Sequence, residues 1–296
     1  MSEILIDLAG EGRARLRICS DKGDFAVAEV AGAGSCDACD GSGRRVVERE
    51  GAVFVQPCSC HAGLDACQRF NAARIPRRLS EKTFDNFMLP SPGDRLGSPL
   101  EAAAAAHARV RAFVESYGMP EGALGFVLMG PVGTGKSHLL AATLRVLTLE
   151  RGVLCRYVEF FHLLSELKEG YSSGKSDMEI IAPLCEVDVL AVDELGKGRG
   201  SDWEMYVLDE IISRRYNADK TTLFATNYTD DPRTSLRSRL PQAGTAHART
   251  RGREFVDKVV VETLEDRVGE RIYSRLNEMC DFIPCHGPDF RKTGGG

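Results

Sequence analysis

A glycine-rich octapeptide in the middle of the chain constrains the fold more than any other feature. Residues 130–137 read Gly-Pro-Val-Gly-Thr-Gly-Lys-Ser, between the apolar run 126–129 and the helical pattern 139–149. A strand that ends at such a turn lets several backbone N–H groups point at one anion, and the following helix adds its dipole. Lys136 can reach β- and γ-phosphate oxygens, and the Ser137 hydroxyl can bind Mg²⁺. The octapeptide therefore predicts a nucleotide site rather than an ordinary glycine turn.

Helix and strand patterns alternate around this octapeptide. Strand patterns occupy 153–158, 187–192 and 221–226, and helical patterns occupy 101–117, 160–168, 203–216 and 264–279. Near-continuous apolar strands that alternate with amphipathic helices predict a parallel sheet with helices on both faces. The expected fold class is α/β.

Two acidic residues follow the second of these strands. Asp193 and Glu194 come directly after the apolar run 187–192, and the carboxyl end of a parallel strand adjoins the ligand crevice. We expect Asp193 to hold Mg²⁺, through water, and Glu194 to polarise the water that attacks the γ-phosphate. A buried strand that merely ends in a polar turn is the alternative interpretation.

An amide follows the next strand, where residues 221–226 lead into Asn227. A neutral amide at this position can sense the γ-phosphate and orient a water without adding charge. Asparagine turns after strands are common, so only the presence of the other two motifs supports a functional role for Asn227.

The three motifs, in this order and spacing, resemble those of AAA+ ATPases. The C-terminal stretches 266–276 and 288–291 look like the end of the bacterial helicase-loader family of the DnaC/DnaI type, and equally like that of the related IstB-type transposition ATPases. Segment 73–87 is similar to the one that opens the ATPase region in these proteins. The resemblance covers about residues 70–291 and implies an AAA+ P-loop domain that binds and hydrolyses ATP with Mg²⁺.

The resemblance also implies roles for three arginines. Arg275 matches an arginine finger supplied to the γ-phosphate of a neighbouring subunit, with Arg271, one helical turn earlier, as the alternative. Arg291 matches a sensor arginine that contacts the nucleotide of its own subunit. A finger delivered across an interface makes hydrolysis conditional on assembly. The alternative is that these arginines lie on a solvated helix surface.

Together these arguments give one expected active site. The expected catalytic residues are Asp193, Glu194, Asn227 and Arg275. The expected nucleotide-binding residues are Gly130, Pro131, Val132, Gly133, Thr134, Gly135, Lys136, Ser137, His138 and Arg291. Ser137 and Asp193 are the expected magnesium ligands.

Cysteines cluster near the N-terminus, where six of the ten in the chain fall within the first 67 residues. Cys36 and Cys39 form one close pair, and Cys58 and Cys60 form another. Two thiolate pairs joined by a hairpin predict a tetrahedral Zn²⁺ site. His61 and Cys67 remain open as substitutes for Cys60, and free thiols are the alternative to a metal site.

Composition changes near residue 80. The cysteine- and glycine-rich residues 1–80 predict a small zinc-binding domain that docks on a helicase, as the resemblance implies, and residues 81–296 predict the AAA+ domain. Zinc would supply much of the folding energy of so small a unit. Residues 1–30 give almost no signal.

Charge and hydropathy limit the location and the partners. No apolar run approaches the length of a membrane span, and the N-terminus shows no basic leader followed by an apolar stretch. We therefore expect a cytoplasmic protein without membrane contact. The formal net charge of −5 restricts any DNA contact to a local surface.

One such surface is an arginine-rich segment. Residues 232–253 contain six arginines and no acidic residue, which suits either a single-stranded DNA contact or a solvated loop. The segment has no aromatic residue to stack on a base.

The favoured function is an ATP-dependent loader that delivers a replicative ring helicase onto DNA. Its expected partners are that helicase, single-stranded DNA, and further copies of the chain in a self-associated or helicase-templated oligomer. An IstB-like transposition helper and a weakly hydrolysing nucleotide-dependent adaptor are the alternatives.

Overall fold

The computed structural model describes eleven stretches of the chain. These are residues 2–7, 13–19, 23–30, 38–40, 42–49, 51–89, 99–119, 124–198, 200–230, 262–287 and 289–293. Cys36 and the arginine-rich segment 232–253 lie outside them.

The N-terminal part contains two small antiparallel sheets and a helix. Their bounds are β1 (Ser2–Asp7), β2 (Arg13–Cys19), β3 (Val27–Val30), β4 (Arg44–Arg49), β5 (Ala52–Pro57) and α1 (Ser59–Ala72). Strands β1, β2 and β3 form one sheet in that order, and β4 pairs with β5 as a hairpin. The hairpin confirms the two short strands expected between the cysteine pairs.

The larger part follows the alternation expected from the sequence. Its elements are α2 (Pro99–Ser116), β6 (Gly125–Met129), α3 (Lys136–Leu149), β7 (Cys155–Glu159), α4 (Phe160–Ser172), α5 (Asp177–Glu186), β8 (Val189–Asp193), α6 (Asp202–Asn217), β9 (Thr221–Thr226), α7 (Leu264–Val268), α8 (Glu270–Met279), β10 (Asp281–Pro284) and α9 (Phe290–Thr293). The five strands form one parallel sheet in the order β10-β6-β9-β8-β7. The predicted α/β class is confirmed.

Successive side chains of the central strands point to opposite faces, and helices cover both. In β6, Leu128 lies in the core shared with α2 and α3, whereas Val127 lies in the core formed with α4 to α8. Ala191 and Leu190 of β8 divide in the same way. The apolar runs lack an alternating pattern because both faces of the sheet are buried.

One expected helix is divided into two. Residues 264–279 have continuous helical periodicity, but Gly269 adopts φ +81° and separates α7 from α8. A positive φ of this size is adopted readily by glycine and rarely by other residues. The prediction of a single helix was therefore wrong at this residue.

The N-terminal part and the central sheet share a hydrophobic core. Leu16 of β2, Phe70 of α1 and Leu139 of α3 belong to one buried cluster. The Tyr157 backbone N–H donates to the Ala73 carbonyl at 2.8 Å, which ties the segment after α1 to the edge strand β7. The division at residues 80 and 81 remains a prediction, and this core lies on both sides of it.

Candidate nucleotide site

The glycine-rich loop connects β6 to α3 at the carboxyl edge of the sheet. Gly133 and Gly135 have φ of +87° and +89°, which is left-handed backbone that glycine adopts at low cost. Gly135 is the N-cap of α3 and provides no side-chain hydrogen bond. The first N–H groups of α3 are therefore left without a side-chain cap, as an anion-binding helix end requires.

Lys136 lies folded inside this loop. Its Nζ donates to the carbonyls of Gly130 at 2.7 Å and Pro131 at 2.6 Å, and the residue is only 7% exposed. Burial lowers the pKa of Lys136 to about 8. Bound phosphates would replace these carbonyls as partners of the ammonium group and favour its charged form.

Asp193 ends β8 and is held by two hydrogen bonds. The Tyr157 hydroxyl donates to its Oδ2 at 2.5 Å, and the backbone N–H of Glu194 donates to its Oδ1 at 2.9 Å. Asp193 is 2% exposed. Burial, together with the adjacent Asp193, raises the pKa of Tyr157 well above its usual range, so the hydroxyl keeps its proton and acts as the donor.

Glu194 is held differently from Asp193. It adopts φ +59°, and its Oε2 accepts a hydrogen bond from Lys197 Nζ at 2.7 Å. Lys197 is largely exposed, and such exposed ion pairs stabilise a protein little. The Glu194 side chain can therefore leave this pair at low cost.

The end of β9 connects the loops that follow β6 and β8. The Gly130 N–H donates to the Thr226 carbonyl at 3.3 Å, and the Leu195 N–H donates to the Ala225 carbonyl at 2.9 Å. Asn227, directly after β9, is exposed and follows a strand that lies between β6 and β8. The three predicted motifs therefore lie at one edge of the sheet.

The C-terminal segment packs on the glycine-rich loop. The Cys285 N–H donates to the Met129 carbonyl at 2.6 Å, and the Phe290 N–H donates to the Gly133 carbonyl at 3.0 Å. A Cβ on Gly133 would lie 2.0 Å from Asp289 Oδ1. These contacts bring α9, with Arg291, to the loop.

Comparison with known proteins agrees with this geometry. Residues 101–231 match the family model described as IstB-like ATP binding protein. The chain is 32% identical over 112 residues to the replicative helicase loader DnaC of Escherichia coli strain K12, a match that covers 38% of this chain and 45% of that protein. It also superposes on a crystal structure of the DnaC helicase loader with a TM-score of 0.51 and 25% identity, over 70% of this chain and 98% of that one.

The resemblance to DnaC-type helicase loaders, related to IstB, is confirmed. A DNA replication initiation factor of known structure shares the fold, with a TM-score of 0.50 and 19% identity over 72% of this chain and 52% of that one. The AAA+ fold is thus established, and the IstB-like match supports nucleotide binding by residues 101–231. The chain spans about half the length of the curated loaders that it matches, at 45% for the protein of strain K12. Across the described residues, no helix is long and apolar enough to cross a membrane.

The predicted arginine finger and its alternative share one carboxylate on α6. Arg275 donates to Asp209 Oδ1 at 2.7 Å and is 20% exposed, whereas Arg271 lies 3.5 Å from Asp209 Oδ2 and is 72% exposed. The Arg275 guanidinium also lies over the Tyr216 ring, 5.9 Å from its centroid. Within one subunit, Arg275 is therefore the more firmly held of the two.

His138 lies in an aromatic cluster beside the loop. Its Nε2 lies 2.7 Å from the Thr83 carbonyl, and burial lowers the pKa of His138, so a neutral ring that donates to this carbonyl is favoured. The Phe87 ring packs edge-on against His138 and Phe290 and would be 2.5 Å from a Cβ on Gly135.

Sequence reasoning missed the residues that support the site. Tyr157, Phe87 and Asp289 act through contacts with distant parts of the chain. Phe87 and Asp289 lie in the stretches 73–87 and 288–291 that carry the resemblance, but no local pattern in the sequence shows the contacts that they make. Tyr157 reaches Asp193 only because β7 pairs with β8 in a register that sets Glu159 beside Asp193.

Three of the described cysteines near the N-terminus converge. The Sγ atoms of Cys39, Cys58 and Cys60 lie within 4.8 Å of one another. Cys36 lies outside the described residues. The alternatives His61 and Cys67 are not part of this group: His61 Nδ1 lies 3.2 Å from Asp65 Oδ2, and burial raises the pKa of the Cys67 thiol to about 11. Three close thiol groups suit a soft cation such as Zn²⁺.

Proposed function

We propose that this protein is an ATP-hydrolysing loader that places a replicative ring helicase on DNA during replication initiation. The observation that carries the proposal is the superposition on the DnaC helicase loader over 98% of that chain. The glycine-rich loop and the carboxylate-bearing end of β8 provide the chemistry that such a loader needs.

ATP would bind with its phosphates in the loop of residues 130–137. Lys136 would exchange its two carbonyl partners for phosphate oxygens, and the uncapped N–H groups of α3 would bind the same phosphates. Asn227 and Arg291 would detect the γ-phosphate, because β9 ends and α9 begins beside the loop. His138 would complete the nucleotide-binding set next to Phe87.

Hydrolysis would require Glu194 to leave Lys197 and polarise a water. The water oxygen would then attack the γ-phosphorus while the bond to the leaving ADP oxygen breaks. Ser137 and Asp193 offer hard oxygen ligands that fit Mg²⁺, which supplies charge neutralisation at the phosphates when bound. Arg275, released from Asp209 and delivered to a neighbouring subunit, would stabilise the transition-state charge, and Arg271 is the alternative.

The N-terminal region would contribute zinc and a docking surface for the helicase. Cys36, Cys39, Cys58 and Cys60 form the proposed Zn²⁺ site. Metal analysis of the purified chain should find one zinc per chain, and a Cys39→Ser variant should lose it while Cys185→Ser retains it. Zinc-free wild-type protein would contradict this part of the proposal.

An IstB-like transposition helper is the second candidate. The family match over residues 101–231 favours it directly. The active site does not separate it from a helicase loader, since both would use the same ATP chemistry on DNA. The partner protein separates them.

The test is capture of the partner from native cell lysate with the Glu194→Gln variant held in ATP. This variant should bind ATP without hydrolysing it and so trap the assembled state. A Lys136→Ala variant, treated identically, is the matched control because it should bind ATP poorly. Enrichment of the replicative helicase with Glu194→Gln over the control would support the loader.

A transposase in place of the helicase would move the protein to the second candidate. A monomeric protein without either partner would contradict both and favour a nucleotide-dependent adaptor. Phosphate release by the wild type, absent in Glu194→Gln, would establish hydrolysis independently.

A further inference from the structure

A cavity of about 670 Å³ lies outside the nucleotide loop, between the N-terminal part and the edge of the central sheet. We call it the arginine cavity, because Arg74, Arg77, Arg78 and Arg156 line it together with Phe25. The segment after α1 supplies three of these arginines and β7 supplies the fourth.

The cavity lining holds four arginines and four acidic residues, but among the described residues only one of these arginines forms an ion pair. Arg78 pairs with Glu159, but the side chains of Arg74 and Arg77 are exposed. Arg156 donates to the Ala72 carbonyl at 3.3 Å, while no described residue accepts a hydrogen bond from its buried Nε. Burial, and then the charge of Arg74, lower the pKa of Arg156 to about 10. An anion at this lining would relieve both the repulsion and the missing hydrogen bond.

The same lining carries an aromatic platform. Phe25 is 38% exposed, and the Arg74 guanidinium lies 5.7 Å from its ring centroid. An exposed aromatic ring and a flat guanidinium are the surfaces on which unpaired bases stack. The arginine-rich segment 232–253, by contrast, has no aromatic residue.

The cavity also carries acidic side chains. Glu166 and Glu169 of α4 line it together with the arginines, and the charge of Glu166 opposes the lowering of the Arg156 pKa. Carboxylates accept hydrogen bonds from the N–H groups of unpaired bases, the N3–H of thymine included, but repel other carboxylates. The cavity therefore offers guanidinium groups to a phosphate backbone and carboxylates to base edges, which favours a nucleic acid over an acidic peptide.

We propose that the arginine cavity binds single-stranded DNA, with phosphates at Arg74 and Arg77 and a base on Phe25. The inference rests on the proposed function, because it names the surface through which the loader would engage DNA. Tyr157 lines the cavity and donates to Asp193. The bound strand would lie one side chain away from the carboxylate proposed to hold Mg²⁺.

The test measures binding of a fluorescein-labelled 20-nucleotide dT strand to the full-length protein by anisotropy, with a non-hydrolysable ATP analogue, across a salt series. The cavity variant is Arg74→Gln with Arg77→Gln. The matched control is Arg111→Gln with Arg151→Gln, which removes two charges from exposed side chains that do not line the cavity. Phe25→Leu tests stacking separately while it keeps an apolar side chain at this position.

We expect the cavity variant to bind the strand about tenfold more weakly. The slope of the logarithm of the binding constant against the logarithm of the salt concentration should be shallower by ~1.4, since each of two lost phosphate contacts contributes ~0.7. Phe25→Leu should weaken binding about fivefold or more, because stacking on an aromatic ring is lost. The control should stay within about twofold of the wild type. Thermal unfolding of each variant checks that the fold is intact.

If neither the double arginine variant nor Phe25→Leu binds the strand more weakly than the control variant does, the cavity assignment is overturned. The proposed loader function is not affected by that result. Equal displacement of the strand by a decaglutamate peptide would overturn the nucleic-acid assignment in favour of a general anion site. A wild type that binds no dT strand at low salt overturns the cavity inference, whereas the loader proposal is then judged by helicase capture alone.

Discussion

At the scale of single residues, the nucleotide site depends on side chains whose positions are set before any ligand binds. Asp193 is fixed by the hydroxyl of Tyr157, and Lys136 is held by carbonyls of its own loop. Both residues are buried. The free protein therefore holds both side chains in defined positions, although Lys136 would have to exchange its carbonyl partners for phosphate oxygens.

Replacing Tyr157 with Phe tests this organisation. The change removes the hydroxyl that donates to Asp193 but keeps the ring. The Asp193 carboxylate would then be held less firmly and should bind Mg²⁺ more weakly. We expect the Mg²⁺ concentration for half-maximal binding of a fluorescent ATP analogue to rise about tenfold or more, because a hydrogen bond to a charged group contributes ~1.5–3 kcal/mol and ~1.4 kcal/mol corresponds to a tenfold change. The exposed Tyr206→Phe is the control, and an unchanged Mg²⁺ requirement in Tyr157→Phe would show that the hydroxyl has no positioning role.

The buried Lys136 predicts how ATP affinity depends on pH. Its pKa is lowered to about 8 in the free protein, and phosphates should raise it in the complex. Affinity should therefore be full below pH 8 and fall as pH rises through 8, approaching about tenfold per pH unit. The stability of the nucleotide-free protein should depend on pH in the opposite direction. Above pH 8 the folded protein loses the Lys136 proton while the unfolded chain still holds it, so the free energy of unfolding should rise with pH.

Analogue binding measured between about pH 7 and 9.5 checks this dependence. A Lys136→Arg variant keeps its charge throughout this range and should not show the decline, whatever its absolute affinity. A decline of the same size in both proteins would assign the effect to another group.

At the scale of elements, the docking of the C-terminal segment on the loop links the end of the chain to the nucleotide. Gly133 lies against Asp289, and its carbonyl accepts a hydrogen bond from Phe290. A side chain at Gly133 would meet Asp289, so α9 could not keep its present position. The loop and α9 should therefore respond together to a change at this glycine.

Gly133→Ala tests this contact against a strain-matched control. Gly174 has φ +79° and nothing within 4 Å of the place that a Cβ would occupy, whereas Gly133 has φ +87° and Asp289 at 2.0 Å. Both substitutions incur the backbone penalty of ~1–2 kcal/mol. Gly133→Ala should in addition weaken ATP-analogue binding about tenfold or more, and equal binding by the two variants would deny that the contact matters.

The elements of the central sheet could be predicted from the sequence, but not everything that surrounds them. Apolar strands with both faces buried and the loop at 130–137 have strong local patterns, so the three motifs were found. Strand β10 is only four residues long and becomes a strand by pairing with β6. The strands within residues 1–30 were not predicted from the sequence. The contact of Tyr157 depends on strand register and that of Asp289 on packing, and neither can be read from local sequence.

At the scale of the whole molecule, the N-terminal part and the part that contains the central sheet are joined through a common core. Phe70, Ala73 and Ile75 are buried in the cluster that contains Leu139 and Leu144 of α3. A fragment of residues 81–296 would expose the α3 and β7 surfaces that this segment covers. We expect the fragment to unfold at least about 4 °C below the full chain, on the scale of ~1 kcal/mol or more lost per large apolar side chain uncovered.

Circular dichroism during heating measures this difference. A fragment starting at residue 60, which keeps nearly all of α1, is the matched comparison and should recover part of the lost stability. Equal melting of the full chain and the 81–296 fragment would mean that the division at residues 80 and 81 separates two independent domains.

Assembly gives the last prediction, because the proposed arginine finger acts between subunits. Arg275 is bound to Asp209 within its own subunit, so assembly must offer it a better partner than that carboxylate. Arg275→Ala subunits that keep an intact nucleotide site should lower the turnover of neighbouring wild-type subunits. The expected loss for a fully substituted assembly is on the order of 10³-fold.

Mixing separates a finger from a residue that only supports its own subunit. Arg275→Ala subunits are titrated into a fixed amount of wild type, and phosphate release per wild-type subunit is followed. Arg271→Ala in the same titration decides between the two arginines, since Arg271 is the more exposed and the more loosely held. A wild-type rate that stays constant as either variant is added would place both arginines outside the active site of the neighbour.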